Sequence, residues 1–180
     1  MTSDIRTERG RVELAPHACF ACGELNEGGL RLVLHAAGDT CWTELVLDAR
    51  FAGWEGIAHG GIVTTILDEV MAWSLVGLDA WGMTARLSVE FKRPVPVGQT
   101  IRGEGHLVER RKRLMWTTGR LLDAATGDVY AAAEGLYVAA PEDRRQALKE
   151  RYRFRIVPED ETAAGEGGRM IPGTPGVGVR

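Results

Sequence analysis

The stretch Gly56-Ile57-Ala58-His59-Gly60-Gly61-Ile62-Val63-Thr64-Thr65-Ile66-Leu67-Asp68-Glu69 decides how this chain is read. A His-Gly-Gly turn opens an apolar helical pattern that carries two adjacent carboxylates in its middle. The first backbone N–H groups of a helix have no intrahelical acceptor, and partial positive charge collects there. Such a terminus holds an anion or polarises a carbonyl oxygen. A carboxylate about two turns further on is placed to act as base or nucleophile on that carbonyl. The pairing points to acyl chemistry.

At about 100° per residue, Ile62, Val63, Ile66, Leu67, Val70, Met71 and Leu75 fill one broad arc of a helix expected over residues 61–78. So wide an arc suggests a helix wrapped by a sheet. Asp68 and Glu69 fall on opposite margins of the arc, and periodicity does not tell which of them does chemistry. Upstream, residues 30–36 alternate around Leu30, Leu32 and Leu34, and a second strand is expected over 40–48 after the Gly38-Asp39 turn. Residues 51–58 form a loop leading into the helix. Downstream, 84–93 places Leu87, Val89 and Phe91 inward and Arg86, Ser88, Glu90 and Lys92 outward, before Pro94-Val95-Pro96-Val97-Gly98 breaks the pattern. Long strands follow over 100–110 and 114–123, joined by the basic run Arg110-Arg111-Lys112-Arg113, and a closing strand over 129–139.

Strands, one central helix and then an antiparallel run is an α+β order with no βαβ repeat. Pro141 starts a charged helix, Glu142 to about Phe154. The expected organisation is a loose N-terminal arm (1–16), a central domain (17–140), a charged C-terminal helix (141–157) and a disordered tail (158–180) rich in Gly and Pro.

A length of 180 residues is enough for one domain with a proper core, and 44% hydrophobic with 26% charged residues is ordinary for a globular protein. The net charge of −3 gives no support for a nucleic-acid partner. No apolar run is expected to reach the length that crosses a bilayer, residues 1–14 lack a signal-peptide pattern, and a cytoplasmic location with no membrane partner is the expectation. Of the three cysteines, Cys19 and Cys22 form one Cys-x-x-Cys with His17 two positions upstream, but no second pair follows. Cys41 lies at no useful spacing for a fourth ligand, so these read as small thiols packing an N-terminal segment, with no metal.

Three segments occur together: Cys19-Phe20-Ala21-Cys22-Gly23 with Gly28-Gly29-Leu30, the His-Gly-Gly helix, and Thr84-Ala85-Arg86-Leu87-Ser88-Val89-Glu90-Phe91-Lys92-Arg93-Pro94. In this order they resemble the hotdog-fold acyl-CoA thioesterases, particularly their phenylacetate-degradation (PaaI-like) branch, over residues 19–139. The resemblance implies an antiparallel sheet wrapped around one long central helix, a homodimer that pairs into a homotetramer, and active sites between protomers. It implies a hydrolase acting on a small to medium acyl-CoA or aryl-acyl-CoA, with no cofactor beyond the coenzyme A of the substrate. Asp68, nine positions after His59, matches the catalytic carboxylate, acting as general base or nucleophile, with Glu69 the second candidate.

His59 would line the thioester pocket, Gly60 would allow close backbone approach, and the Gly61 N–H would be the oxyanion donor. Thr84 matches a position where relatives carry a hydroxyl that positions water. Where some relatives have an amide about six residues before the His, this chain has Phe51-Ala52-Gly53-Trp54-Glu55, and Trp54 is a candidate wall of the acyl pocket. Coenzyme A phosphates call for cations, for which Lys92, Arg93, Arg111, Arg113 and Arg86 are the candidates. Two other readings stand beside hydrolysis: an acyl-CoA hydratase or dehydratase on the same fold, using a His base, and a non-catalytic acyl-CoA-binding protein.

Overall fold

The computed structural model describes residues 3–158. Its central element is α1 (Gly60–Trp73), whose apolar arc is driven inward: Val63, Ile66, Leu67, Val70 and Met71 are all buried. The run Gly60–Leu78 is, against expectation, long and apolar enough to cross a bilayer by length and composition, but here it is the core helix of a sheet. The regular helix stops at Trp73, short of the expected 78. Ser74 turns its hydroxyl back to the Met71 carbonyl at 2.7 Å, and a short 3-10 turn over Val76–Leu78 ends at Asp79 in the left-handed region.

Around α1 run the strands β1 (Asp4–Thr7), β2 (Gly10–Glu13), β3 (His35–Ala37), β4 (Thr40–Val46), β5 (Ala52–Trp54), β6 (Ile57–Ala58), β7 (Gly82–Phe91), β8 (Thr100–Arg111), β9 (Leu114–Asp123), β10 (Val129–Ala139) and β11 (Arg155–Val157), with a second helix α2 (Glu142–Arg151) before the last. The main sheet has the order β11-β2-β1-β3-β4-β8-β9-β10-β7, antiparallel except where β1 lies parallel to β3. The strands over 114–123 and 129–139 fall where the alternation predicts them. β5 and β6 form a separate small hairpin inside the segment expected to be a loop.

α1 lies against the β4-β8-β9-β10-β7 part of the sheet. It can do so because the floor beneath it lacks side chains. A Cβ at Gly105 would sit 2.3 Å from the Val70 carbonyl oxygen, and one at Gly119 would sit 3.0 Å from Met71. Glycine inside a strand costs conformational entropy, and here it allows a close helix–sheet approach that a side chain would block.

Three expectations change. The N-terminal arm is not loose over 4–13: β1 and β2 extend the sheet, burying Ile5 and Val12, and β11 adds to β2 with Arg155 bonded to Glu13 at 2.8 Å. One apolar residue per short strand left too weak an alternation to read among the charges. The strand expected at 30–36 is a ladder only from His35, because the amides before it bond elsewhere: Leu30 to the Phe20 carbonyl, Leu32 to that of Ala21 and Leu34 to the Ser3 hydroxyl. The helix after Pro141 ends at Arg151, and Phe154 instead packs edge-on against Trp81. α2 docks on the 3-10 turn that follows α1, with Lys149 Nζ 2.6 Å from Asp79 Oδ2. Residues 159–180 of the expected disordered tail lie outside the described residues.

Candidate active site

Asp68 projects from α1 toward β7 and β10. Thr84 Oγ1 donates to its Oδ1 at 2.9 Å, and the Tyr137 hydroxyl donates to the same oxygen at 2.7 Å while lying 3.0 Å from the Asp68 main-chain carbonyl. Oδ2 has no hydrogen-bond partner among the described residues. One carboxylate oxygen is therefore pinned and the other is free to take a proton. The Tyr137 ring is fully buried, and burial followed by the nearby Asp68 charge raises its pKa well above the ordinary phenol value, so the hydroxyl stays a donor.

Thr84 reaches this point through an irregularity in β7. Leu136 pairs with Arg86 but Tyr137 pairs with Thr84, which leaves Ala85 as an extra residue. Strict alternation from the inward Leu87 would send Thr84 outward; the bulge returns it to the side of Tyr137. Tyr137 was missed in the sequence. Its signal was parity: it shares the inward face of β10 with Ala133 and Gly135, where a buried phenol needs a partner for its hydroxyl.

His59 caps α1. Its Nδ1 accepts the Gly61 N–H at 2.9 Å, and its own N–H donates to the Phe51 carbonyl at 2.9 Å. The expectation that Gly61 supplies a free oxyanion donor fails for this geometry, because the cap consumes that amide, as N-cap side chains commonly do. With Nδ1 accepting, the proton of the neutral ring is assigned to Nε2. The Gly60 N–H, first of the helix, has no partner among the described residues. A Cβ at Gly60 would meet the Phe91 ring at 3.5 Å, so the glycine brings the turn close to the end of β7.

Glu69 does not join Asp68. It faces the other way, accepting from Trp73 Nε1 at 2.9 Å and from the Cys22 thiol, and burial raises its carboxyl to about 7. It lines a cavity of about 250 Å³ with His17, Cys19, Cys22, Trp73 and Trp81, and Asp68 is not on that wall. Trp54, the candidate wall of the acyl pocket, is 81% exposed on β5. The cations are dispersed. Lys92 pairs with Glu90 at 3.2 Å and Arg93 with Asp128 at 2.8 Å near the end of β7, while Arg111 pairs with Glu109 at 2.5 Å in the β8–β9 hairpin. Arg113 binds the Ala139 carbonyl at 2.9 Å and ties that hairpin to β10. Arg86 is exposed on β7, and Phe91, expected inward, is 53% exposed because β7 is the sheet edge.

The thioesterase superfamily model matches residues 55–130, from the loop before His59 through β7, β8 and β9. Human acyl-coenzyme A thioesterase 13 is 26% identical over 106 residues, covering 58% of this chain and 75% of that protein. Acyl-coenzyme A thioesterase THEM4 of Bos taurus is 33% identical over 88 residues, covering 48% of this chain and only 35% of its relative. Among solved structures, a thioesterase superfamily protein superposes with TM-score 0.58 at 29% identity, over 63% of this chain and just over half (56%) of its own. The PaaI protein of E. coli, 13% identical, shares the fold at TM-score 0.55 over 58% of this chain and 75% of its own. The thioesterase superfamily match over residues 55–130 and these superpositions agree on one architecture: a central helix wrapped by an antiparallel sheet, the hotdog fold of thioesterase superfamily proteins.

Proposed function

We propose that the chain hydrolyses acyl-coenzyme A thioesters carrying a small to medium acyl or aryl-acyl group, as a cytoplasmic homodimer that pairs into a tetramer. The carrying observation is Asp68, with Oδ1 held by Thr84 and Tyr137 and Oδ2 free. In this reading the thioester carbonyl accepts from the Gly60 N–H and from His59 Nε2–H at the positive end of α1. One protomer's Asp68 stands about 12 Å along α1 from Gly60, so it is Asp68 of the partner subunit whose Oδ2 takes a proton from a water molecule as the water oxygen attacks the carbonyl carbon. The tetrahedral oxyanion then collapses, the C–S bond breaks, and the proton passes to the departing thiolate, giving free acid and coenzyme A.

Lys92, Arg93, Arg86 and Arg111 remain the candidates for the phosphates. The ion pairs of Lys92, Arg93 and Arg111 lie at the surface and are weak, so they can be exchanged for a ligand. Arg113 is the poorer candidate, since its guanidinium already serves the Ala139 carbonyl. Engagement of His59 Nδ1 in the helix cap supports hydrolysis over a hydratase reaction, which would need that ring as a base.

A thiol-release assay across an acyl-CoA panel is the test. Asp68→Asn keeps the shape and loses basicity, and should lower kcat by roughly 100-fold or more with little change in KM. Glu69→Gln should retain turnover. Near-normal turnover in D68N with loss in E69Q would move the role to Glu69.

A further inference from the structure

We propose that Cys19, Cys22 and Glu69 form a binding site for a zinc-class divalent cation that clasps the segment before β3 onto α1. One sulfur from each cysteine and one oxygen of Glu69 lie within 4.8 Å of one another. Tetrahedral zinc, at about 2.3 Å from sulfur and about 2.0–2.2 Å from oxygen, requires ligand–ligand edges of roughly 3.5–3.8 Å. Small side-chain rotations therefore close the triangle without moving the backbone.

The backbone is already shaped for it. The Gly23 N–H donates to the Cys19 carbonyl at 3.0 Å, closing a tight turn, and a Cβ at Gly23 would sit 2.3 Å from the Cys19 nitrogen. The Cys22 and Ala21 amides donate to the Cys19 sulfur and orient it. Glu69 is aimed from the other side, with Trp73 Nε1 holding Oε1 at 2.9 Å, an outer hydrogen bond of the kind that orients ligating carboxylates. The sequence offered Cys19 and Cys22 with His17 nearby but no fourth ligand; the fold brings in Glu69 from a helix, 47 positions downstream of Cys22.

Two thiolates and one carboxylate select zinc or cobalt(II) over magnesium or calcium, which prefer all-oxygen shells. The fourth position opens to the cavity that His17 also lines, and water can fill it. Asp68 is not among the residues that line this cavity, so the site stands or falls separately from the hydrolytic reading.

The experiment is cobalt(II) titration of the full, reduced chain under anaerobic conditions, followed by zinc. One equivalent should bind, with a near-ultraviolet thiolate-to-cobalt band and the intense visible bands of tetrahedral cobalt, and zinc should bleach both. Cys19→Ser and Cys22→Ser should each abolish the charge-transfer pattern of two thiolates. Glu69→Gln should weaken binding by roughly tenfold or more. Cys41→Ser and Asp68→Asn should bind like the wild type, which separates loss of ligands from general damage. Absence of saturable one-to-one uptake by the reduced chain overturns the proposal, as does an unchanged spectrum in C19S and C22S. If the reduced chain takes no cobalt and loses two titratable thiols in air, the pair is a redox couple and not a metal site.

Discussion

Asp68 shows how few side chains are needed to give a carboxylate a direction. Two hydroxyls fall on one oxygen, and the second oxygen is left for water. Tyr137→Phe removes the shorter of these bonds without opening a cavity. It should lower kcat roughly tenfold with KM unchanged, because the carboxylate is no longer held in its attacking pose. It should also cost about 1 kcal/mol of stability, the usual net worth of a buried hydrogen bond; steady-state kinetics and a denaturant midpoint read the two effects. The His59-to-Asp68 spacing was legible in the sequence because it is local to one turn and one helix. Tyr137 lies 69 positions from Asp68 and was not, since only the folded sheet brings the two together. The Gly61 amide was misread for a local reason: the same histidine that marks the turn also consumes its donor.

The elements were readable in proportion to their length. β9 and β10, of ten and eleven residues, begin and end where predicted, whereas β1 and β2, with four residues each, gave no periodic signal. The bulge at Ala85 is invisible to any strict period, yet it decides which face Thr84 takes. On the outer side of the sheet, Glu104 of β8 holds Arg102 of its own strand at 2.8 Å and Arg120 of β9 at 2.9 Å, and Arg102 reaches Glu44 of β4 at 2.8 Å. Burial pushes the Glu104 carboxyl up, but hydrogen bonds from Arg102 and Arg120 outweigh it and hold the pKa below the ordinary 4.5. A depressed carboxylate pKa contributes stability above the unfolded value that is lost as pH falls through the folded one. Glu104→Gln should therefore cost about 1 kcal/mol at pH 7, the scale of a partly exposed pair. The gap from wild type should shrink below pH ~4.5 and close under stronger acid. Urea melts at a series of pH values check this, and a constant gap would place the cost in packing instead.

At the scale of the whole molecule, β7 ends the sheet with an open row of backbone groups and with Met83 and Phe91 about half exposed, beside the turn that carries His59. An unprotected edge of ten residues is a template for pairing with a second copy. Sedimentation equilibrium should give twice the 19.6 kDa of the chain or a higher multiple, and specific activity should fall on dilution together with the mass. A monomer that keeps full activity in dilute solution would contradict an active site shared between protomers.

The bare floor under α1 has a consequence of its own. The altitude of Asp68 above the sheet is set by atoms that are missing at positions 103, 105 and 119, so the geometry around this carboxylate is written partly in the negative. Any side chain added there acts as a shim: it lifts the helix, and the carboxylate drifts out of register with Thr84 and Tyr137 although no ligand-facing group has changed. Evolution of a new substrate range on this scaffold can freely rewrite the rim, but it inherits a fixed ceiling height from three strand glycines.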